Sequence, residues 1–219
     1  MIYIIYLKKS HTMYIIMKTI GIIGAGGQCK VVIDIINEIG IYTIVGIYDD
    51  HKTGYVSGIP IIGKVVEIFT SHNTDEFIIA IGNDQVRKDI YEAHPNIKWA
   101  TLIHPRAIIS RSAKIDAGSV VCAGAVVQPE VNIGKHCIIN TNCNIDHEAM
   151  IGAYCSICPG VTICGRVKIG EKTFIGANAT VIQNLVIGNN CVVGAGAVII
   201  RKIEDNQKVV GNPGKLIQL

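Results

Sequence analysis

The chain has 219 residues, 49% of them hydrophobic, yet only 8 Tyr, 3 Phe and 1 Trp, with 23 Gly and 6 Pro. That length allows one large domain or two small ones; the high hydrophobicity and 17% charged content exclude disorder, and the scarcity of proline excludes collagen. A formal charge of +3 without a dense Lys/Arg run argues against a nucleic-acid partner, although residues 105–219 carry 11 basic and 7 acidic groups against 9 and 10 in residues 1–104.

Residues 1–7 form an apolar run that Lys8, Lys9, Ser10 and His11 cut short. It falls well below the roughly 18 to 20 residues of a bilayer span and lacks the charged start and cleavage site of a secretory signal. Residues 1–18 therefore read as an N-terminal extension, with Met13 or Met17 as alternative starts, and the protein is expected to be cytoplasmic with no membrane partner. Residues 19–23 predict a strand, Gly24-Ala25-Gly26-Gly27 a turn, and residues 28–39 a helix with Val31, Val32, Ile35, Ile36 and Ile39 at helical spacing and Gly40 as its stop. A second strand over 42–48 ends on Asp49 and Asp50. A third over 77–81 leads into Gly82 and Asn83, then come a helix over 84–93 and a strand over 97–103. Alternating strand and helix imply a parallel sheet with crossover helices, here an α/β Rossmann-like domain over residues 19–103.

A glycine-rich turn between strand and helix lets backbone N–H groups approach a diphosphate at the positive helix end. Asp49 and Asp50 stand where such folds contact a ribose or base. The fingerprint is incomplete, because Cys29 occupies the place of the third glycine. The segment fits a nucleotide site or merely a tight turn; a domain of about 85 residues is small for a dinucleotide, so one nucleotide diphosphate is the fitting ligand.

A repeat governs the second half. From Ile103 to Ile199 every sixth residue, seventeen in succession, is Ile or Val. Two places earlier the residue is usually small, as at Ala107, Ala125, Cys137, Cys155 and Ala179, and one place later glycine recurs at 134, 152, 170, 176, 188 and 194. A period of six suits a solenoid with three flat sides per coil, one aliphatic pointing inward per side and small residues where the wall turns. Residues 104–219 are thus expected to form an all-β left-handed parallel β-helix, a hexapeptide repeat of about five 18-residue coils. Its narrow interior explains the shortage of aromatics. The lattice also accounts for the cysteines: Cys137, Cys143, Cys155 and Cys191 fall on the small site, and Cys122, Cys158 and Cys164 follow the aliphatic. Cys155-x-x-Cys158 is then a by-product of register rather than half a zinc motif, and the thiols are packing residues.

His147 lies between Asp146 and Glu148. A base that takes a proton from an amine attacking a thioester needs a pKa near neutrality, which imidazole supplies, and a carboxylate on its other nitrogen would fix the tautomer. The residues alone do not choose between Asp146 and Glu148, and a solvated histidine beside acids is the bland alternative.

Eight segments in order point further: Ile22-Ile23-Gly24-Ala25-Gly26-Gly27, Asp49-Asp50, Ile79-Ala80-Ile81-Gly82-Asn83, Ile103-His104-Pro105, Ile138-Ile139-Asn140-Thr141, Asp146-His147-Glu148, Pro159-Gly160 and Gly211-Asn212-Pro213. With them the chain, from Ile20 to Lys215, resembles the two-domain hexapeptide-repeat acetyltransferases of nucleotide-linked amino sugars (the bacillosamine type) and their sialic-acid O-acetyltransferase relatives. The resemblance implies direct transfer from acetyl-CoA, without metal, to the amino group of a UDP-linked 4-amino-4,6-dideoxy sugar. It makes His147 the general base and favours Glu148 as its partner. It also implies substrate contacts at Gly24, Gly26, Gly27, Asp49, Asp50, Gly82 and Asn83, coenzyme contacts at Gly165, Ala177 and Ala195, and a homotrimer with active sites between subunits. Two positions depart from the pattern: Gln28 and Ser156 stand where relatives carry histidine.

Rival expectations differ in outcome. O-acetyl transfer of the sialic-acid type would use the same base and coenzyme. A zinc hydratase on this solenoid would need three histidines per metal, and a purely structural solenoid would be indifferent to loss of His147.

Overall fold

The computed structural model describes residues 4–6, 13–15, 17–70 and 74–217. Much of the extension expected over residues 1–18 lies outside the described residues; within it Ile4–Tyr6 and Met13–Ile15 pair antiparallel. The chain divides into two compact units, Met1–Ile81 with Asn96–Ala100, and Gly82–Pro95 with Thr101–Leu219.

The first unit is built on β1 (Lys18–Ile23), α1 (Gly27–Ile39), β2 (Tyr42–Tyr48), β3 (Tyr55–Val56), β4 (Ile59–Gly63) and β5 (Glu76–Ile79). Its sheet order is β3-β4-β2-β1-β5, parallel except for the β3/β4 hairpin. β1 is an inner strand paired on both sides, and its apolar run is buried without alternation at Ile20, Ile22 and Ile23. α1 ends at Gly40, which adopts the left-handed conformation (φ 69°) and donates its N–H to Ile36. The buried stripe of α1 is Cys29, Val32, Ile33, Ile35 and Ile36; Val32, Ile35 and Ile36 are as expected, while Cys29 and Ile33 take the places expected of Val31, which is 39% exposed, and of Ile39. The strand expected over 97–103 does not form as a unit: Trp99 makes a single parallel bridge to Phe77, and Leu102–Ile103 already opens the solenoid. At the sheet edge Glu76 is buried and accepts from Lys18 Nζ at 2.8 Å and Tyr42 Oη at 2.8 Å, with Lys98 Nζ at 2.9 Å. Burial pushes its pKa up, but these donors outweigh it and hold the carboxyl at about 2.

The second unit begins with α2 (Asp84–Ala93), capped by Asn83, whose Oδ1 accepts from the Val86 N–H at 2.9 Å. The solenoid follows. Two-residue strands stack one coil apart into three parallel faces: the first from Leu102–Ile103, the second from Ile108–Ile109 and the third from Lys114–Ile115. Five coils contribute a strand to every face; the sixth has two strands and closes its third side with a single Ile187–Ile203 bridge. Register is strict, Ile139 facing Ile157, Ile145 facing Ile163 and Ile151 facing Ile169.

The interior is the predicted Ile/Val lattice joined by the small residues, with Ala125, Cys137, Cys143, Ala149, Cys155, Ala179 and Cys191 all fully buried. Each small residue directly follows a corner residue in the left-handed conformation, a position that recurs every six residues from Gly118 to Gly196. The thiols are free and donate to backbone oxygens, as Cys155 Sγ does to Gly170 at 3.0 Å. Burial pushes the Cys143 thiol up to about 12, which makes it a packing group and not a nucleophile. The recurrent glycines are forced by close stacking: a Cβ on Gly152 would come within 2.7 Å of Glu171 N in the next coil. No helix among the described residues is long and apolar enough to cross a membrane.

Candidate active site

The corner between the second and third faces, in the coil that opens with Ile138–Ile139, carries Asp146-His147-Glu148. Ile145 anchors the segment in the core, and the Glu148 N–H donates to Pro129 in the coil before at 3.0 Å. Glu148 has φ 60°, and this left-handed turn folds its side chain back onto its neighbour. Adjacent residues on a flat strand would point apart; on this corner Glu148 Oε2 lies 2.8 Å from His147 Nδ1. Asp146 is used otherwise. Its Oδ1 accepts the His147 backbone N–H at 2.8 Å, and its Oδ2 is 3.8 Å from Nε2.

One coil on, Arg166 Nη1 donates to Glu148 Oε2 at 3.3 Å, while Arg166 Nε donates to Asn184 Oδ1 at 2.8 Å another coil further. The bond from His147, together with Arg166, holds the Glu148 carboxyl below its usual range. An ionised carboxylate only accepts, so Nδ1 is the donor in this bond, and in the neutral ring Nε2 is the nitrogen that presents a lone pair. Nε2 faces Gly165, where a Cβ would stand 2.7 Å from both Nε2 and Cε1. Gly165 thus makes room for the imidazole. Arg166 and Asn184 were not singled out in the sequence, although both sit at whole-coil steps from Glu148.

Two hollows flank this corner. One of 180 Å³ lies on the second face over Gln128, Asn144, Asp146 and Thr162, and one of 480 Å³ on the third face over Asn132, Met150, Lys168 and Val186. Ala177 and Ala195 stack on a different corner, between the first and second faces, so a single solenoid does not bring them to Gly165.

In the first unit, Gly24 has φ 99° and packs so closely that a Cβ would strike the Ile81 side chain. Gly26 and Gly27 have open space where a Cβ would stand. Gly26 caps α1 without a side-chain bond, and the first turn holds no acid, leaving a positive helix end accessible to an anion. Two further groups meet this turn. Lys52 Nζ donates to Ala25 O at 3.0 Å, and Gln28 buries its Nε2 without a hydrogen-bond partner among the described residues.

Asp49 spends both oxygens on backbone N–H groups, Oδ2 accepting from Ala25 N in the glycine turn at 2.7 Å and Oδ1 from His51 N and Lys52 N of its own loop at 2.9 Å each. Burial raises its pKa, but the N–H bonds from His51, Ala25 and Lys52 prevail and lower it. Asp50 Oδ1 accepts from Val65 N at 3.0 Å. Gly82 and Asn83 belong to the second unit, at the start of α2. Ser156 is 8% exposed and accepts from Arg87 Nη2 at 3.2 Å, so it faces α2 and not the His147 corner. Among the described residues no group of three or more His, Cys, Asp or Glu is arranged to hold a metal ion.

The PglD N-terminal domain family matches residues 19–94, and the bacterial transferase hexapeptide family (six repeats) matches 166–201. A mutant perosamine N-acetyltransferase from Caulobacter crescentus, solved with CoA and GDP-perosamine, is 31% identical with a TM-score of 0.89, covering 92% of this chain and 97% of that one. The chain belongs to the two-domain hexapeptide-repeat acetyltransferase family. A second member, the acetyltransferase domain of PglB from Neisseria gonorrhoeae, is 37% identical with a TM-score of 0.87, covering 91% of this chain and all of that one. The UDP-N-acetylbacillosamine N-acetyltransferase of Bacillus subtilis is 37% identical over 115 residues, 49% of this chain and 52% of that one. The chain spans about half the length, or less, of the curated relatives it matches.

Proposed function

We propose that the protein transfers the acetyl group of acetyl-CoA to the amino group of a UDP-linked 4-amino-4,6-dideoxy sugar, with His147 as general base. The observation that carries this reading is the Glu148–His147 bond of 2.8 Å, which leaves Nε2 as an oriented lone pair in the space kept by Gly165. The sugar nitrogen attacks the thioester carbonyl and its proton passes to Nε2. The C–S bond then breaks as the carbonyl reforms, and the imidazolium returns the proton to the leaving thiolate. Glu148 stabilises the imidazolium between the two transfers. Support for the acceptor comes from the GDP-perosamine bound by the Caulobacter relative and the name of the Bacillus one.

The bare positive end of α1, with Gly24, Gly26, Gly27, Lys52 and Gln28, suits the diphosphate. Resemblance assigns Asp49, Asp50, Gly82 and Asn83 to the same ligand. A coenzyme lying along one corner reaches Gly165 but not Ala177 or Ala195, so contact with all three fits a groove between two copies, as in a homotrimer. Sedimentation at three chain masses tests that assembly.

The decisive experiment assays UDP- and GDP-linked 4-amino-4,6-dideoxy sugars and CMP-sialic acid in parallel with acetyl-CoA. N-acetylation of the amino sugars, UDP preferred, is expected, and His147→Ala should lower kcat by at least about 100-fold with the melting temperature retained. Acetylation of CMP-sialic acid alone, or full turnover by His147→Ala, overturns the proposal.

A further inference from the structure

Arg87 is the one fully buried residue of α2, 1% exposed, and the bulkiest fully buried side chain among the described residues. Its guanidinium reaches three places at once. Nη1 donates to Gly82 O at 2.7 Å, at the turn that opens α2. Nε donates to His136 O at 3.0 Å, and Nη2 to Tyr154 O at 2.6 Å and Ser156 Oγ at 3.2 Å, so two successive coils are engaged. His136 and Tyr154 are both left-handed corner residues, φ 52° and 61°, whose rings stack at 5.8 Å, with Tyr91 of α2 4.9 Å from His136.

Apolar contact alone would press α2 against the solenoid, but it would not set the position of the Gly82 carbonyl. A planar guanidinium with fixed donor directions does, because its bonds at one end fix the geometry at the other. Tyr154 and His147 lie in the same coil, so the turn is referred to the coil that carries the base.

We propose that Arg87 is a positioning residue for substrate. It holds the Gly82–Asn83 turn at a set height on the solenoid, so that a nucleotide-sugar contacting this turn presents its amine to the His147 coil. The inference rests on the proposed function, in that it takes Gly82 and Asn83 as substrate contacts. Asn83 is equipped for that: its Oδ1 is spent on the helix cap, while the exposed amide keeps its donors.

The test is steady-state kinetics of Arg87→Lys and Ser156→Ala with a UDP-linked 4-amino-4,6-dideoxy sugar and acetyl-CoA varied in turn, well below each variant's melting temperature. Lysine keeps the charge but not the fork. It should raise KM for the nucleotide-sugar about 10-fold or more and leave KM for acetyl-CoA within about twofold. Ser156→Ala, which removes one acceptor and keeps the guanidinium, should raise the sugar KM about two- to threefold and serves where Arg87→Lys does not fold. Unchanged sugar KM in the variants that fold, or an equal rise in both KM values, overturns the positioning role and leaves Arg87 a structural clamp. Asn83→Ala separates the two levels: if it too leaves the sugar KM unchanged, the assignment of this turn to substrate fails; if it raises KM while the Arg87 and Ser156 variants do not, only the positioning role fails.

Discussion

Left-handed backbone costs a non-glycine residue about 1–2 kcal/mol, and the solenoid asks for it at every corner. From Gly118 to Gly196 that place is filled by glycine or asparagine, the cheap choices, except at Glu130, His136, Glu148, Tyr154, Arg166 and Lys172. Five of these six are accounted for. Glu148 and Arg166 align His147, His136 and Tyr154 receive Arg87, and Lys172 Nζ donates to Gln85 Oε1 of α2 at 2.8 Å. Costly side chains thus sit where a corner has chemistry or docking to perform. The room beside His147 is set with equal care. A methyl group on Gly165 would force the imidazole to shift by some tenths of an ångström, so Gly165→Ala is expected to lower kcat about 10- to 100-fold while the protein still melts cooperatively. Stopped-assay kinetics check this, and a kcat within twofold of the parent shows that the ring does not need the space.

At the scale of elements, the solenoid was legible because its period is unlike that of any helix or plain strand, and one aliphatic per side leaves no alternative register. A fully interior member such as Ile163 should therefore be costly to truncate: Ile163→Ala is expected to lose about 2–5 kcal/mol, whereas Ile200→Ala, at a residue 43% exposed, should stay within about 0.5 kcal/mol. Denaturant melts of the two variants compare them directly. Other elements were less legible. The β3/β4 hairpin hides in a short stretch whose signal is Ser57-Gly58 alone, both at positive φ (48° and 82°), as a two-residue hairpin turn requires. Helix α2 reads correctly from its cap and spacing, but it is bound to the solenoid by buried Arg87 together with Tyr91 and the Lys172–Gln85 bond, and an arginine on a helical stripe carries no sign in sequence of the carbonyls it will meet. The Asp146 or Glu148 question was open for a related reason: strand alternation separates neighbours, and only a left-handed corner lets adjacent residues meet.

At the scale of the molecule, each unit buries a titratable group of its own, and the two respond to acid in different windows. In the solenoid unit, burial, reinforced by the cations Arg87 and Lys135, lowers His136 to about 4 from its usual 6.5. The unfolded chain binds this proton first, so the neutral ring's contribution is complete above pH 6.5 and is lost as pH falls to about 4, a change of about 3 kcal/mol. In the first unit, Glu76 is held at about 2 against an ordinary 4.5. Its contribution is complete above pH 4.5 and is lost only as pH falls towards 2, again about 3 kcal/mol. Trp99 is the only tryptophan and belongs to the first unit, while most β-structure belongs to the solenoid. Denaturant melts between pH 7.5 and 3 should therefore show the far-UV midpoint falling from pH 6.5 downwards while the Trp99 fluorescence midpoint holds until about pH 4.5. His136→Asn should flatten the first window and Glu76→Gln the second. Midpoints that fall together across the whole range, in the parent and in both variants alike, would mean that the two units unfold as one and that neither buried group governs its own.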